Sequence, residues 1–431
     1  MIRTKGDKVK KAMTILVAII ILGLTACTQP ASVGILQSEK PRVTDPQVNQ
    51  GDLATLVNGN SEFAFNLYQT LKDTDGNLFY SPYSISLALA MTFAGARGET
   101  ERQMADTINF LLPQDSLHPA FNGLDIDLSS RGEGAKGKDE EGFRLNIVNA
   151  IWGQKDYDFL SGYLDILAEN YGAGLRILDF VAAPEPSRIT INDWVSNQTE
   201  GRIEDLIPQG AIDTLTRLVL TNAIYFNAAW QHPFNEEATV DGTFNLLDGG
   251  EITVPMMNQT ESFGYAEGET YQAVELPYDG NELSMVILLP EAGQFEDFDG
   301  LLNYRKAEGI ISDINRRQVS LQMPKFEFDS EFSLKSALAN MGMPITFSGD
   351  ADFSGMTGSK DLSIDEVIHK AFVSVDEAGT EAAAATAVIM KAVSMPAEPI
   401  SVAVDHPFIF LIRDIETGAI LFIGQVMNPL R

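Results

Sequence analysis

Five long stretches rich in β-branched and aromatic residues constrain the fold of this chain most strongly. Such residues favour an extended backbone, and apolar and polar residues alternate in several stretches, as they do in half-buried strands. Helical segments such as residues 162–173 and 187–201 lie between them, but strand and helix do not alternate regularly. The pattern therefore predicts an α+β domain with large mixed or antiparallel sheets. The five stretches cover residues 143–153, 217–230, 271–290, 317–332 and 366–377.

Composition and charge argue against several classes of partner. The chain has 431 residues, of which 45% are apolar and 21% are charged, an ordinary globular balance. Its formal net charge is −30. Binding to nucleic acid needs clustered lysine and arginine, so we expect no nucleic-acid partner.

The first 26 residues have the features of an export signal. A basic region precedes an apolar run, residues 12–24, that is too short to span a bilayer comfortably. The tetrapeptide LTAC at positions 24–27 resembles the bacterial lipobox, in which the signal is cleaved before a cysteine that carries lipid. Cys27 is thus predicted to anchor an extracytoplasmic protein to a bacterial membrane. Residues 27–58, polar and without a period, are predicted to form a tether before a domain spanning 59–431.

The sequence shows no recognisable catalytic site. It lacks the GxSxG motif of serine hydrolases, and its four histidines form neither HExxH nor a close pair. We therefore predict a protein that is not an enzyme and has neither a metal nor another cofactor. His369, on the apolar face of an alternating strand, and Trp194, in a helical segment, are first interpreted as core residues with hydrogen-bonded polar atoms.

A run of small residues, GTEAAAATAV at positions 379–388, does not clearly favour either helix or strand. Alanine is the strongest helix former, yet glycine and two threonines bracket the run and strand-like sequence lies on both sides. Residues 367–388 resemble the strand, hinge and reactive loop of serpins, and six further segments match serpins in the same order. These segments are NLFYSPYSISLALAMTFAGARGET, INDWVSNQTEGRI, LVLTNAIYFNAAW, MPKFEF, LKSALANMGM and DHPFIFLIRDIETGAILFIGQVMNP.

The resemblance covers residues 59–431 and implies a serpin fold, with three β-sheets, about nine helices and an exposed reactive-centre loop. It implies a suicide inhibitor of serine proteases, with the protease as its covalent partner. The protease would form an acyl-enzyme with the loop, and the cleaved loop would then insert into the large sheet as a new strand. We expect the protein to be a monomer.

The composition of the hinge favours an inhibitor over a non-inhibitory serpin that acts as a binding module. In an inserted strand, the even-numbered residues from 380 to 386 would face the core and the odd-numbered ones would face outward. Small residues can thread between packed strands, whereas a buried charge would cost roughly several kcal/mol. Non-inhibitory relatives often have bulky or charged hinge residues. The predicted hinge comprises Glu377, Gly379, Thr380, Glu381, Ala382, Ala383, Ala384, Ala385 and Thr386.

The resemblance also implies the position of the reactive bond. Counting about seventeen residues from the hinge glutamate, Glu377, ends at Val393, so the bond would be Val393-Ser394. A small β-branched residue suits a shallow specificity pocket, which favours an elastase-like or subtilisin-like protease. A miscount by one or two residues would select Ala392 or Met395, and Lys391 would instead suit a trypsin-like protease.

Finally, the resemblance implies residues that control opening of the sheet. Ser81, Ser84, Asn222 and His369 match a hydrogen-bonded cluster beneath the large sheet. Trp194 matches the tryptophan at the place where the loop first enters the sheet.

Overall fold

Ten α-helices and two β-sheets make up the part of the chain that the computed structural model describes, residues 33–73, 76–132, 144–380 and 398–431. Within it, none of the helices is long and apolar enough to cross a membrane. In chain order the helices are α1 Gln50–Leu71, α2 Pro82–Phe93, α3 Gly98–Ile108, α4 Gln114–Ser129, α5 Ser161–Tyr171, α6 Pro184–Gln198, α7 Phe295–Gly300, α8 Tyr304–Ser312, α9 Lys335–Met341 and α10 Ser354–Thr357.

Sixteen strands form the two sheets of the described chain. Sheet A has seven strands in the order β1-β4-β3-β5-β13-β12-β11, and sheet B has nine, eight of them in the order β14-β10-β7-β8-β9-β15-β16-β2, with β6 beside β7. The strands are β1 Gly34–Leu36, β2 Leu78–Tyr80, β3 Arg144–Gln154, β4 Leu175–Leu178, β5 Leu218–Ala229, β6 Val240–Asn245, β7 Glu251–Glu267, β8 Tyr271–Pro277, β9 Leu283–Pro290, β10 Asn315–Pro324, β11 Phe326–Ser333, β12 Glu366–Val375, β13 Gly379–Thr380, β14 Ile400–Ala403, β15 Phe408–Asp414 and β16 Ile420–Val426.

The α+β class predicted from the sequence is confirmed, while the number of sheets differs from the expected three. The 17-residue strand β7 explains this difference. It pairs with β6, β10 and β8 along successive parts of its length, so hydrogen bonds join these strands into one network. Sheet A remains separate from this network.

The central strands β3 and β5 of sheet A are packed on both faces. One face of β3 and β5 packs against α6 through residues such as Val148, Val219 and Val195. The opposite face packs against the large core that contains α2. Burial on both faces explains why β5 reads as a nearly continuous apolar run.

The N-terminal part of the structure differs from the predicted tether of residues 27–58. β1 pairs antiparallel with β4, and α1 begins at Gln50, where the Asn49 side chain accepts a hydrogen bond from the Asp52 N–H at 2.8 Å. Between these elements the Arg42 guanidinium contacts the Asp125 carboxylate at 2.6 Å. Residues 34–36 and 50–58 therefore belong to the folded domain.

Candidate functional site

The seam between β5 and β12 in sheet A is the candidate site. The two strands pair in parallel, with His369 opposite Asn222. At one end they separate, and the two-residue strand β13 lies between them. There Thr380 pairs with Ala228 of β5 on one side and Val375 of β12 on the other. The first hinge residues thus already occupy the mouth of a gap in the sheet.

The backbone around β13 leaves no space for a larger residue at its first position. A Cβ atom on Gly379 would lie 2.1 Å from the Ala228 carbonyl oxygen, so glycine is required by this close approach. Thr380 is buried, and its hydroxyl lies 2.7 Å from the Tyr278 hydroxyl. Alternation along the strand predicts that the Thr380 side chain faces the core. Tyr278, which it contacts, is a buried residue of that core.

A buried carboxylate holds the start of the hinge. Glu377 accepts hydrogen bonds from Lys325 Nζ and the Thr239 hydroxyl, each at 2.7 Å. Its carbonyl oxygen accepts another from the Phe234 N–H, also at 2.7 Å. Burial acts to raise the pKa of Glu377, but the hydrogen bonds from Lys325 and Thr239 outweigh it and leave that pKa below its ordinary value. Glu377 is therefore a charged anchor.

Trp230 completes the contacts around the hinge. Its indole Nε1 donates to the Asp376 carbonyl oxygen at 3.0 Å, and its backbone N–H donates to the Ala378 carbonyl oxygen at 2.8 Å. The indole ring stacks on Tyr278 with 4.7 Å between ring centres. Trp230 directly follows β5, so it lies at the end of the seam where the hinge enters.

This geometry corrects the expectation that Trp194 lies where the loop first enters the sheet. Trp194 lies in α6 and packs edge-on against Trp152 at 5.3 Å, with the Arg176 guanidinium 4.2 Å from its ring centre. None of these contacts involves the hinge, and Trp230 occupies the position that was assigned to Trp194. The useful signal in the sequence was the tryptophan at the end of a long strand, Leu218–Ala229.

A hydrogen-bonded cluster crosses the seam below β13. The Ser81 N–H, at the start of α2, donates to His369 Nε2 at 3.2 Å, so the other ring nitrogen carries the proton and donates to the Asn222 side-chain oxygen. Asn222 in turn donates to the Ser84 hydroxyl at 2.6 Å and to Asn149. Ser81, Ser84, Asn222 and His369 are thus brought together, and Asn149 is a member that the sequence did not suggest.

Burial keeps this cluster uncharged. Burial lowers the pKa of His369 to about 3, so its imidazole is neutral at physiological pH. A neutral ring can accept from Ser81 and donate to Asn222 at the same time. Because Asn222 belongs to β5 and His369 to β12, the cluster ties together the two strands of the seam.

Nine predicted site residues lie outside the described residues: the hinge residues Glu381, Ala382, Ala383, Ala384, Ala385 and Thr386, the reactive-bond residues Val393 and Ser394, and the lipidation residue Cys27.

Fold and site together define a class of α+β proteins in which the first residues of the hinge form a short strand, β13, between two strands of the large sheet. The serpin (serine protease inhibitor) family model matches residues 58–429. An uncharacterized serpin-like protein of Thermococcus kodakarensis is 41% identical over 384 residues, covering 89% of this chain and 88% of that protein. Leukocyte elastase inhibitor of Bos taurus is 42% identical over 381 residues, covering 86% and 98%.

A solved structure gives the same result. The native state of the thermophilic serpin tengpin has a TM-score of 0.79 and 29% identity, covering 91% of this chain and 97% of that one. The chain therefore belongs to the serpin family, and its fold is the serpin fold.

Proposed function

We propose that this chain is a suicide inhibitor of serine proteases that traps the acyl-enzyme by inserting its cleaved loop into sheet A. The observation that carries the proposal is β13, which lies between β5 and β12 and pairs with both. Insertion would extend a strand that already exists. Family membership and the small residues after Thr380 support the same conclusion.

The register of β13 gives the path of the proposed insertion. Thr380 is opposite Ala228 in an antiparallel pair, so each later residue would face one residue earlier in β5. Val393, 13 residues after Thr380, would then lie opposite Leu215, three residues before the first residue of β5, Leu218. At ~3.3 Å per residue this is a displacement of ~43 Å along the sheet.

The chemical step belongs to the protease. Its serine oxygen attacks the Val393 carbonyl carbon, the bond from that carbon to the Ser394 nitrogen breaks, and Ser394 leaves as a free amine. Val393 remains joined to the protease serine as an ester. Insertion would then drag the protease along the sheet before water hydrolyses that ester. The inhibitor supplies the substrate segment and the strand gap.

The target class follows from the residue at the reactive bond. Valine fits a shallow primary pocket, so we propose an elastase-like or subtilisin-like protease. The 42% identity to a leukocyte elastase inhibitor is consistent with this class. Lys391 remains the alternative, and it would direct the inhibitor to trypsin-like proteases.

Incubation with pancreatic elastase, subtilisin and trypsin tests the proposal. We expect a complex that survives SDS with elastase or subtilisin, and mass spectrometry should find a new N-terminus at Ser394. The matched variant is Thr380→Arg, because a buried charge between β5 and β12 would block insertion. It should be cleaved at the same bond without forming the complex. Cleavage and turnover of the unaltered protein by every protease would instead favour a non-inhibitory binding module.

We also propose that the protein is a lipoprotein, processed before Cys27 and held outside the cytoplasm. The basic and apolar segments before Cys27 and the LTAC sequence support this proposal. Metabolic labelling with a radioactive fatty acid in a bacterial host should label the membrane fraction. Cys27→Ser should abolish both the label and the membrane association, and label retained in that variant would contradict the proposal.

A further inference from the structure

A cavity of about 320 Å³ lies beside the free edge of β3, away from the hinge. Its walls come from β3, β1, β4, the segment 172–174 and the ends of α5 and α6, with Met91 of α2. β4 pairs with β3 only at residues 152–154, so no other strand in the described chain pairs with the outer edge of residues 144–151. Ile147, Ile151 and Leu167 give the cavity an apolar wall. A volume of this size is within the range of small-molecule sites.

An arginine without a partner lies in this cavity. The Arg176 guanidinium carbon is 4.2 Å from the ring centre of Trp194 and 5.4 Å from that of Trp152. Among the described residues, the Arg176 guanidinium has neither an ion pair nor a hydrogen bond, although the backbone of Arg176 is paired within sheet A. Burial lowers the pKa of Arg176, as expected for a cation removed from water without a counter-charge.

Two other polar side chains of the cavity, Asn149 and Tyr171, already have hydrogen-bond partners. The Asn149 amide group contacts Ser84 and Asn222, and the Tyr171 hydroxyl is 2.7 Å from His118 Nδ1. Gln37, just after β1, and Gln198, at the end of α6, are both exposed, and neither side chain has a hydrogen bond among the described residues. The recognition chemistry of the cavity therefore combines one cation beside two indoles, two exposed glutamine amides and an apolar wall.

We propose that this cavity binds a small organic carboxylate with an apolar body. The carboxylate would accept paired hydrogen bonds from the Arg176 guanidinium, whose planar fork matches the two carboxylate oxygens. The apolar body would pack against Ile147, Ile151 and Leu167. This site is separate from the hinge and from the proposed reactive bond, and its ligand binding does not depend on protease inhibition.

Titration with 4-phenylbutyrate and its uncharged match 4-phenyl-1-butanol tests the proposal. Two of the three tryptophans of the chain adjoin Arg176, so intrinsic fluorescence and calorimetry can both follow binding. We expect the acid to bind at least about tenfold more tightly than the alcohol, since it adds a charge-assisted bidentate pair. Arg176→Gln should remove that preference. Arg305→Gln, at an exposed position of α8, should keep it.

A second variant keeps the test independent of any folding defect in Arg176→Gln. Gln198→Glu places a negative charge at the rim of the cavity and should weaken binding of the acid but not of the alcohol. Asn197→Asp, its exposed neighbour that does not line the cavity, is the matched control. Equal affinity for acid and alcohol, no binding of the acid at millimolar concentration, or equal effects of the two charge variants would each overturn the proposal.

Discussion

At the scale of single residues, a few buried polar groups help to hold β5, β12 and the hinge together, in addition to the apolar surface that these strands bury. Glu377 is anchored by Lys325 and Thr239 at the mouth of the gap, and His369 joins β12 to Asn222 of β5 below it. A buried polar group that loses its partner costs free energy, so these contacts resist separation of the strands. Opening of sheet A along the whole seam must break the contact between His369 and Asn222.

Glu377→Gln should lower the apparent melting temperature at pH 7, with a loss of about 1–3 kcal/mol. The ion pair with Lys325 is lost, while the size of the side chain is kept. The pKa of Glu377 is lowered in the folded protein, so its contribution is present above the ordinary carboxyl pKa and disappears as pH falls through the lowered value. Calorimetry at decreasing pH should show the two proteins converging. Glu269→Gln, at an exposed position, should melt like the unaltered protein at pH 7.

His369→Gln should flatten the acid side of the stability profile. Burial lowers the pKa of His369 from 6.5 to about 3, so below pH 6.5 the unfolded chain binds a proton that the folded chain does not. The unaltered protein should therefore lose roughly 3 kcal/mol through this group by pH 4. Glutamine can keep both hydrogen bonds without titrating. Denaturant unfolding from pH 7 to pH 4 measures the difference, and parallel profiles for the two proteins would contradict the assignment.

His369→Ala separates hydrogen bonding from titration in the same experiment. It leaves the Ser81 N–H and the Asn222 oxygen unpaired, so it should be less stable than His369→Gln already at pH 7.

The sequence predicted the cluster around His369 but not the tryptophan at the hinge. Ser81, Ser84, Asn222 and His369 follow local motifs that the resemblance locates directly. The contact of Trp230 with the hinge depends on which strand end lies beside the hinge. That pairing joins residues 228–229 to residues 379–380, which are far apart in the sequence. Pairing between strands so far apart in sequence is not encoded by local periodicity.

At the scale of elements, β1 and the chain that follows it secure the outer edge of sheet A. β1 adds a strand beside β4, and Lys40 contacts Asp165 and Glu169 of α5. Arg42 then reaches α4, with its Nε donating to the Asn122 side-chain oxygen at 2.8 Å. The segment thus joins the sheet edge to two helices.

Arg42→Ala should lower the apparent melting temperature by a few degrees, since about 1–2 kcal/mol of charge-assisted hydrogen bonding is lost. Arg42 and Asp125 are both partly buried, which limits screening by solvent. Lys40→Ala is the comparison, because Lys40 is half exposed and its ion pairs should contribute little. Differential scanning fluorimetry suffices, and equal melting of the two variants would show that this contact does not secure the segment.

These N-terminal elements were missed for identifiable reasons. β1 is three exposed residues long, so it has no measurable alternation. The start of α1 contains Gly51 and Gly59, which read as helix breakers. The structure shows why Gly59 is tolerated: a Cβ atom there would lie 2.3 Å from the Asn109 carbonyl oxygen, so the glycine permits close packing.

At the scale of the whole molecule, sheet A is the part of the structure that could accept a further strand. β5 and β12 pair directly over residues 219–225 and 366–372, and β13 separates them at one end. A strand inserted along the whole seam would replace one ladder of hydrogen bonds by two. The fully inserted sheet would then be more stable than sheet A with only β13 between β5 and β12.

Cleavage at the reactive bond should therefore raise the apparent melting temperature by more than ~10 °C, because about a dozen added backbone hydrogen bonds contribute ~0.5–1.5 kcal/mol each. Calorimetry of the intact and elastase-nicked protein measures the shift. Nicked Thr380→Arg is the control, since its charge should prevent insertion and leave the melting temperature unchanged. If nicked unaltered protein melted with the intact form, the gap between β5 and β12 would not accept the segment, and inhibition by insertion would fail with it.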